Sequence, residues 1–264
     1  MHSSERRVAV DAARAAGQLL TRELDGVRRI AYKGSPTNLV TEMDAQCEAL
    51  IVERLRSTFA GDAILSEEAG GMAGRSGRRW IVDPLDGTTN YAHGLPIFGV
   101  SIGLEAERRV VLGVVYDPSR DELFVGERGA GAMLNDAPIR VSSTATLEQS
   151  LLTTGFPYNI RQTRDTNLAE YAAFAVRARA VRRLGSAVLD LAYIACGRFD
   201  AFWELQLGAW DVAAGSVLVE EAGGLITGID GRPLDVDAPT LVASNGLVHD
   251  EVLQVLKQVR GGGT

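Results

Sequence analysis

Cysteine and histidine are scarce in this chain: its 264 residues hold two of the first and three of the second. Cys47 and Cys196 both fall in apolar, helix-like runs, so buried, reduced thiols are expected rather than a disulfide framework. No Cys/His grouping has the spacing of a zinc site. Long apolar runs are missing too: none approaches the roughly 20 residues of a membrane span. Residues 1–7 are polar and lack the apolar core of a signal peptide. Positive charge is in the minority, with 27 Lys and Arg against 34 Asp and Glu, a formal −7. Such a chain is a poor partner for nucleic acid or an anionic membrane, and an anionic substrate would need cations recruited locally. A soluble cytoplasmic protein that binds neither is expected.

What is present is ordinary globular composition, 46% hydrophobic and 23% charged. The length suits one large domain or two tightly joined halves, with enough core to fold without disulfides or a structural metal. Val8, Ala12, Ala15, Ala16, Leu19 and Leu20 have helical spacing over residues 5–24. Gly34, Ser35 and Pro36 mark a loop at 33–38. A second helix is predicted from about Thr41, with Met43, Cys47, Leu50, Ile51 and Leu55 on one face. Residues 63–65 read as a strand ending at Ser66-Glu67-Glu68. Residues 70–79, filled with glycine and arginine, read as an exposed loop, and 80–82 as a strand running into Asp83-Pro84. The runs 98–104, 110–116 and 122–125 predict a β meander, closed by Asn135-Asp136. Beyond it, helices are predicted over 165–180, 185–197, 211–222 and 249–259, interleaved with strands at 199–204, 225–227 and 241–244. There is no internal repeat and no long linker. The pattern is α/β: an antiparallel meander half, then a mixed-sheet half, with a site between the layers.

Residues 80–91 carry the densest chemistry. Asp83 stands where the strand is predicted to end, Pro84 removes a backbone donor, Asp86 sits on the turn, and Gly87 permits close approach. Two carboxylates and the Leu85 carbonyl can converge on one point. Thr88 and Thr89 would open a helix whose free amides suit a phosphate oxygen. Asp-Pro-x-Asp-Gly is also good turn chemistry, and that reading stands beside the first. Glu67 ends the preceding strand. Asp211, at a predicted helix start, would complement the helix dipole or join the cluster. If Glu67, Asp83, Asp86 and Asp211 converge, they repel one another and call for cations; all-oxygen ligation favours Mg2+ or Mn2+.

Two long ordered segments, residues 80–93 (WIVDPLDGTTNYAH) and 210–224 (WDVAAGSVLVEEAGG), resemble the inositol monophosphatase family of metal-dependent phosphatases. Asp44 after Asn38-Leu-Val-Thr-Glu-Met, the step Ser66-Glu67-Glu68, Gly155-Phe156-Pro157-Tyr158, and Gly185-Ser186-Ala187 with Asp190 support it, so the match spans residues 8–258. The resemblance implies a layered αβαβα sandwich of the sugar-phosphatase type. Residues 1–145 would form a half with the metal motif and 146–264 a half with substrate-binding elements, in one compact unit. Glu67, Asp83 and the Leu85 carbonyl would hold one Mg2+, and Asp83, Asp86 and Asp211 a second, with a third, weaker site near Glu67. Gly87 and Thr88 would bind phosphate. Thr88 with Asp44 would position or deprotonate the attacking water, making Asp44, Thr88 and Glu67 the catalytic group. Asp86, Gly185, Ser186, Ala187, Glu204 and Asp211 would line the alcohol side. Relatives are usually homodimers and often inhibited by lithium, and both are expected here. Many carry Asp where this chain has Asn38, which weakens a metal role for that position.

Three readings keep a structural alternative. Asp44 follows Thr41 at capping-box distance, Glu204 could be a surface charge at a strand end, and His93 reads as a structural or rim residue rather than a catalytic one. The expected reaction is hydrolysis of a small phosphorylated polyol, inositol 1-phosphate first. Histidinol phosphate, fructose 1,6-bisphosphate and 3′-phosphoadenosine 5′-phosphate are the alternatives within the chemistry, and a protein partner of the transcription machinery is the alternative outside it.

Overall fold

The computed structural model describes residues 2–24, 30–32 and 39–261; the predicted loop at 33–38, with Asn38, lies outside the described residues. The first part of the chain runs α1 (Ser3–Glu23), β1 (Ile30–Tyr32), β2 (Leu39–Thr41), α2 (Glu42–Thr58), β3 (Ala63–Ser66), β4 (Gly70–Met72), β5 (Arg78–Asp86) and α3 (Thr88–Ala92). The meander follows as β6 (Gly99–Ala106), β7 (Arg109–Asp117), β8 (Glu122–Glu127), β9 (Gly131–Leu134) and β10 (Ala137–Pro138). Then come β11 (Leu151–Thr154), α4 (Leu168–Ala175), β12 (Ala180–Arg182), α5 (Ala187–Ala195), β13 (Ala201–Glu204), α6 (Ala209–Glu221), β14 (Leu225–Gly228), β15 (Leu241–Ser244) and α7 (His249–Gly261).

Strands β1 and β2 pair with each other. The large sheet has the order β10-β9-β8-β7-β6-β5-β3-β4 and is antiparallel except where β3 lies along β5. The second sheet, β12-β11-β13-β15-β14, is parallel across its first three strands and antiparallel across the rest. Period-two alternation sorts the side chains of the large sheet. Trp80, Val82, Ile102, Leu112 and Val114 pack with α1 and α2, whereas Ile81 packs with Ala213 and Val217 of α6. Helices α5 and α6 fill the space between the sheets, with Leu189, Leu191 and Leu218 in one core with Phe124 and Phe202. Helices α4 and α7 cover the far side of the second sheet through Phe174, Val252 and Leu256 against Leu152 and Trp203. The layers therefore run αβαβα, as the resemblance implied. Among the described residues no helix is long and apolar enough to cross a membrane.

Helix α6 lies against the large sheet in a trough of three glycines. Gly103 is opposite Gly113, and Gly113 opposite Gly126, across β6, β7 and β8. A Cβ at Gly103 would come 3.0 Å from Ala213 Cβ, one at Gly126 3.0 Å from Leu218 Cα, and one at Gly113 would run into the Ala214 carbonyl. The helix is as tight on its other side, where a Cβ on Gly215 would meet Leu191 at 2.5 Å. Only hydrogen at these positions allows the approach, so they set the depth at which α6 sits.

The structure corrects several local expectations. Residues 70–79 are not one loop: β4 folds back on β3, with Ser66 opposite Gly70, and β5 begins at Arg78. Two of the three arginines there are ion-paired, Arg78 with Glu5 at 2.6 Å and Asp62 at 2.9 Å, and Arg79 with Glu105 at 2.6 Å. The helix predicted over 165–180 is only Leu168–Ala175. Asn167 precedes it in the left-handed region (φ 63°), held by donating to Thr154 Oγ1 at 2.8 Å and accepting from Trp203 Nε1 at 2.6 Å. Strand β11 gave no sequence signal, since its four residues are short and lack alternation. Cys47 is buried, its thiol pushed up to about 12 chiefly by burial, while Cys196 is only half-buried.

Replacing Gly113 by alanine should lower unfolding free energy by about 1–3 kcal/mol through overpacking. Gly71→Ala, where a Cβ meets nothing within 4 Å, should stay within about 0.5 kcal/mol of wild type. Urea unfolding midpoints measure both, and equal stability of the two variants would contradict the trough.

Candidate active site

The alternation that sends Ile81 toward α6 sends Asp83 the same way, and on the neighbouring β3 Leu65 and then Glu67 follow suit. Asp83 stands opposite Ser101, whose hydroxyl donates to the Trp210 carbonyl at 3.2 Å and so ties the first turn of α6 to the strand. Strand β5 does not end at Asp83 as predicted: a bulge between Asp83 and Asp86 lets pairing resume at Asp86 opposite Gly99. The bulge brings a second carboxylate to the site.

Each of three aspartates is oriented by hydrogen bonds at one oxygen. Asp83 Oδ1 accepts the Leu85 amide at 3.0 Å. Asp86 Oδ2 accepts the Ser186 hydroxyl at 2.6 Å and the Val188 amide at 2.9 Å, joining β5 to the start of α5. Asp211 Oδ2 accepts the Gly208 amide at 2.6 Å. Helix α6 starts at Ala209, not at Asp211, so this aspartate lies within the first turn and caps the helix. The turn and cap readings of these residues are thus present alongside their convergence: Asp83, Asp86 and Asp211 offer carboxylate oxygens all within 4.8 Å of one another. Glu67 is outside that triad but lines the same compartment, together with Leu85, Gly87 and Thr88.

Like charges and burial oppose ionisation here. The Asp83 carboxyl is pushed well up by burial and then by Glu67, Asp86 and Asp211. Asp211 is pushed well up by burial and Asp86. Asp86 is raised by burial, against the hydrogen bonds from Ser186 and Val188. A set of oriented carboxylates that repel one another, all hard oxygen donors with a carbonyl beside them, fits a hard divalent cation.

Asp44 reaches the site from α2. Its Oδ2 accepts the Thr41 amide at 2.7 Å and the Thr41 hydroxyl at 2.6 Å, the capping arrangement. Its Oδ1 accepts from Thr88 Oγ1 at 3.0 Å. The cap and the site contact coexist on opposite oxygens of one carboxylate. Thr88 Oγ1 is also 3.0 Å from the Leu85 carbonyl, so its single proton chooses between two acceptors. Gly87 turns the chain into α3 with φ 88°, and a Cβ there would lie 2.9 Å from the Ile97 carbonyl. His93 is exposed at the end of α3 and lines neither compartment.

A second compartment adjoins the first. It is lined by Asp86, Gly185, Ser186, Ala187, Glu204 and Asp211, all six singled out from sequence. Glu204 is not a surface charge: burial and then Asp190 push its carboxyl well up, and Gly155 packs directly on it with no room for a Cβ. Sequence reading missed Arg183, Asp190, Gln206 and Tyr158 as lining residues. Asp190, buried and bonded to Thr153 Oγ1 at 2.7 Å, had its signal in the Gly185-Ser186-Ala187 segment, and Tyr158 in Gly-Phe-Pro-Tyr.

Raised carboxyls keep protons that the unfolded chain has already released, so without a cation they favour the fold at low pH and lose that contribution as pH rises through their folded values. A divalent cation takes the protons' place. The gain in Tm on adding Mg2+ should therefore grow from about pH 5.5 to about pH 8. His249 works the other way: burial lowers its pKa, so its contribution is lost as pH falls. It does so with or without cation and drops out of the difference. Scanning calorimetry measures this, and a cation effect that shrinks with pH would contradict the cluster's role.

Residues 1–260 match the profile of the inositol monophosphatase family. An inositol-1-monophosphatase of Synechocystis is 44% identical over 94% of this chain and 87% of its own length. The Nus factor SuhB of Pseudomonas aeruginosa is 42% identical over 90% of each chain. Among solved structures, the inositol monophosphatase of Anabaena superposes with a TM-score of 0.88 at 43% identity, covering 97% of this chain and 96% of that one. The chain therefore belongs to the inositol monophosphatase family, whose members include phosphoric monoester hydrolases.

Proposed function

We propose that the protein is a Mg2+-dependent phosphatase that hydrolyses a small phosphorylated polyol, inositol 1-phosphate first, to the free alcohol and phosphate. The observation that carries this reading is the triad Asp83, Asp86 and Asp211 beside the Thr88–Asp44 pair. Glu67, Asp83 and Leu85 would hold one Mg2+ and the triad another. Bound there, Mg2+ would supply Lewis acidity and charge neutralisation for the phosphoryl group. The Gly87 and Thr88 amides would take phosphate oxygens.

The protein's own part is to orient and deprotonate a water. With the Leu85 carbonyl engaged elsewhere, the Thr88 proton rests toward Asp44 Oδ1, and the Thr88 oxygen is left as an acceptor for the water. As the water oxygen bonds to phosphorus, its proton passes to Thr88 and the Thr88 proton to Asp44. The phosphorus–alkoxy bond breaks on the opposite side, where the alkoxide takes a solvent proton. Glu204 and Asp190, with the Ser186 hydroxyl, give the alcohol side hydrogen-bond partners for several hydroxyls. Millimolar lithium inhibition, a homodimer and a cytoplasmic location complete this reading.

A second reading rests on the similarity to the Pseudomonas Nus factor: a contact with the transcription machinery, independent of the carboxylates. Capture of RNA polymerase by wild type and Asp83→Asn alike would support it, and capture by neither would remove it.

On a panel of inositol 1-phosphate, histidinol phosphate, fructose 1,6-bisphosphate and 3′-phosphoadenosine 5′-phosphate, phosphate should be released fastest from the first; background release from it with strong release from another would overturn the substrate. Asp83→Asn should lose at least about a hundredfold in kcat. Asp44→Asn has one acceptor oxygen for two jobs. Capping Thr41 with it turns the amide NH2 toward Thr88, so Tm should hold while kcat falls about a hundredfold. A variant that melts early yet keeps its rate would show a purely structural Asp44.

A further inference from the structure

Helix α2 presents two buried carboxylates one turn apart on its inner face, Asp44 and Glu48. Asp44 holds Thr88. Glu48, buried four residues on, reaches the loop between β3 and β4. Its Oε1 accepts the Glu68 amide at 3.1 Å and the Ala69 amide at 2.9 Å. The remaining amide of that loop, Glu67, donates to the Val82 carbonyl at 3.2 Å, next to Asp83. The three-residue loop closes with Ser66 opposite Gly70, which takes φ 73°. All three loop amides are therefore bonded, one to the strand that carries Asp83 and two to the helix that carries Asp44.

We propose that Glu48 is a positioning residue for cation binding: by holding the Glu68 and Ala69 amides it fixes the loop from which Glu67 faces the carboxylate cluster. This rests on the metal-dependent reading above. The physical reason is that Glu67 lies at a loop rather than within a strand. A side chain on a three-residue hairpin turn has a direction only as firm as the turn's own amides. Two charge-assisted hydrogen bonds donated to a buried carboxylate are the strongest restraint available to those amides, and the same helix fixes the Thr88 side of the site. Glu48 thus sets the spacing between Glu67 and Asp44 without touching substrate or cation. Groups that orient metal ligands in this way typically change affinity by about 10–100-fold when removed.

The test uses the full-length protein stripped of metal, as wild type, Glu48→Ala, Glu48→Gln and Glu67→Gln. Mn2+ is titrated calorimetrically, amide exchange is followed at Glu68 and Ala69, Tm is taken in chelator, and kcat is measured against Mg2+ concentration. Glu48→Ala should weaken Mn2+ binding about tenfold and speed exchange at the two amides. It should also shift the Mg2+ half-saturation upward while kcat at saturating Mg2+ stays within about twofold of wild type. Glu48→Gln, which keeps an acceptor oxygen but not the charge, should fall between, and it carries the test if the alanine variant does not fold. Unchanged Mn2+ affinity despite faster exchange would overturn the proposal. So would a loss of kcat that no Mg2+ concentration restores, with Tm lowered in proportion, because that marks a residue serving stability alone. If Glu67→Gln binds Mn2+ as wild type does, the metal role of Glu67 fails and the proposal with it. If wild type binds no Mn2+ at all, the functional reading fails first.

Discussion

The depth at which α6 sits on the large sheet is the constraint on which the rest depends. Asp211 is in the first turn of that helix and Asp83 is on the strand beneath it, so their separation is a packing distance before it is a chemical one. Gly103, Gly113 and Gly126 remove the side chains that would hold the helix off, and Ser101 pins the helix start by its hydrogen bond to Trp210. A methyl group at Gly113 would run into the Ala214 carbonyl, so the helix could admit it only by moving off the sheet and carrying Asp211 away from Asp83. Close packing and a close cluster of like charges are thus one arrangement, in which the first enforces the second against electrostatic repulsion.

Much of this was legible in the sequence, and the limits have physical causes. Asp83, Asp86 and Asp211 could be singled out because each sits in a local motif that also makes good turn or cap chemistry. The structure keeps those local roles as well, and so the local evidence alone could not decide between them. What the motifs could not carry was convergence. It required the parity of β5, its bulge, and the docking of α6, all products of non-local pairing. The glycine trough was invisible for the same reason: three glycines at 103, 113 and 126 look unrelated until strand register sets them side by side. Glu48 left no trace because its partners are two backbone amides in a distant loop, and backbone partners have no sequence signature. The helix expected from residue 165 starts only at Leu168, because apolar spacing cannot foresee a buried Asn167 held in the left-handed region by Trp203.

The Thr88–Asp44 pair shows how a helix cap and a contact in the cleft can share one side chain. A carboxylate has two oxygens with distinct directions. Here one closes the capping box of α2 and the other accepts the Thr88 hydroxyl, so the helix start and the turn after Asp86 are rigidly related. Glu48, one turn later, holds two loop amides through a single oxygen. The inner face of α2 is best understood as a ruler laid along the edge of the site, graduated by two acidic side chains.

Asp86 has a further consequence. Its hydrogen bonds to Ser186 and Val188 fasten a strand of the large sheet to the helix that opens toward the second sheet, so the seam between the two sheets passes through a residue of the cleft itself. Whatever occupies that cleft touches both sides of the seam. By mass action, an occupant that favours the closed arrangement adds its binding free energy to the cohesion of the molecule. One side chain thus serves both the cleft and the junction between the sheets, and what fills the first strengthens the second.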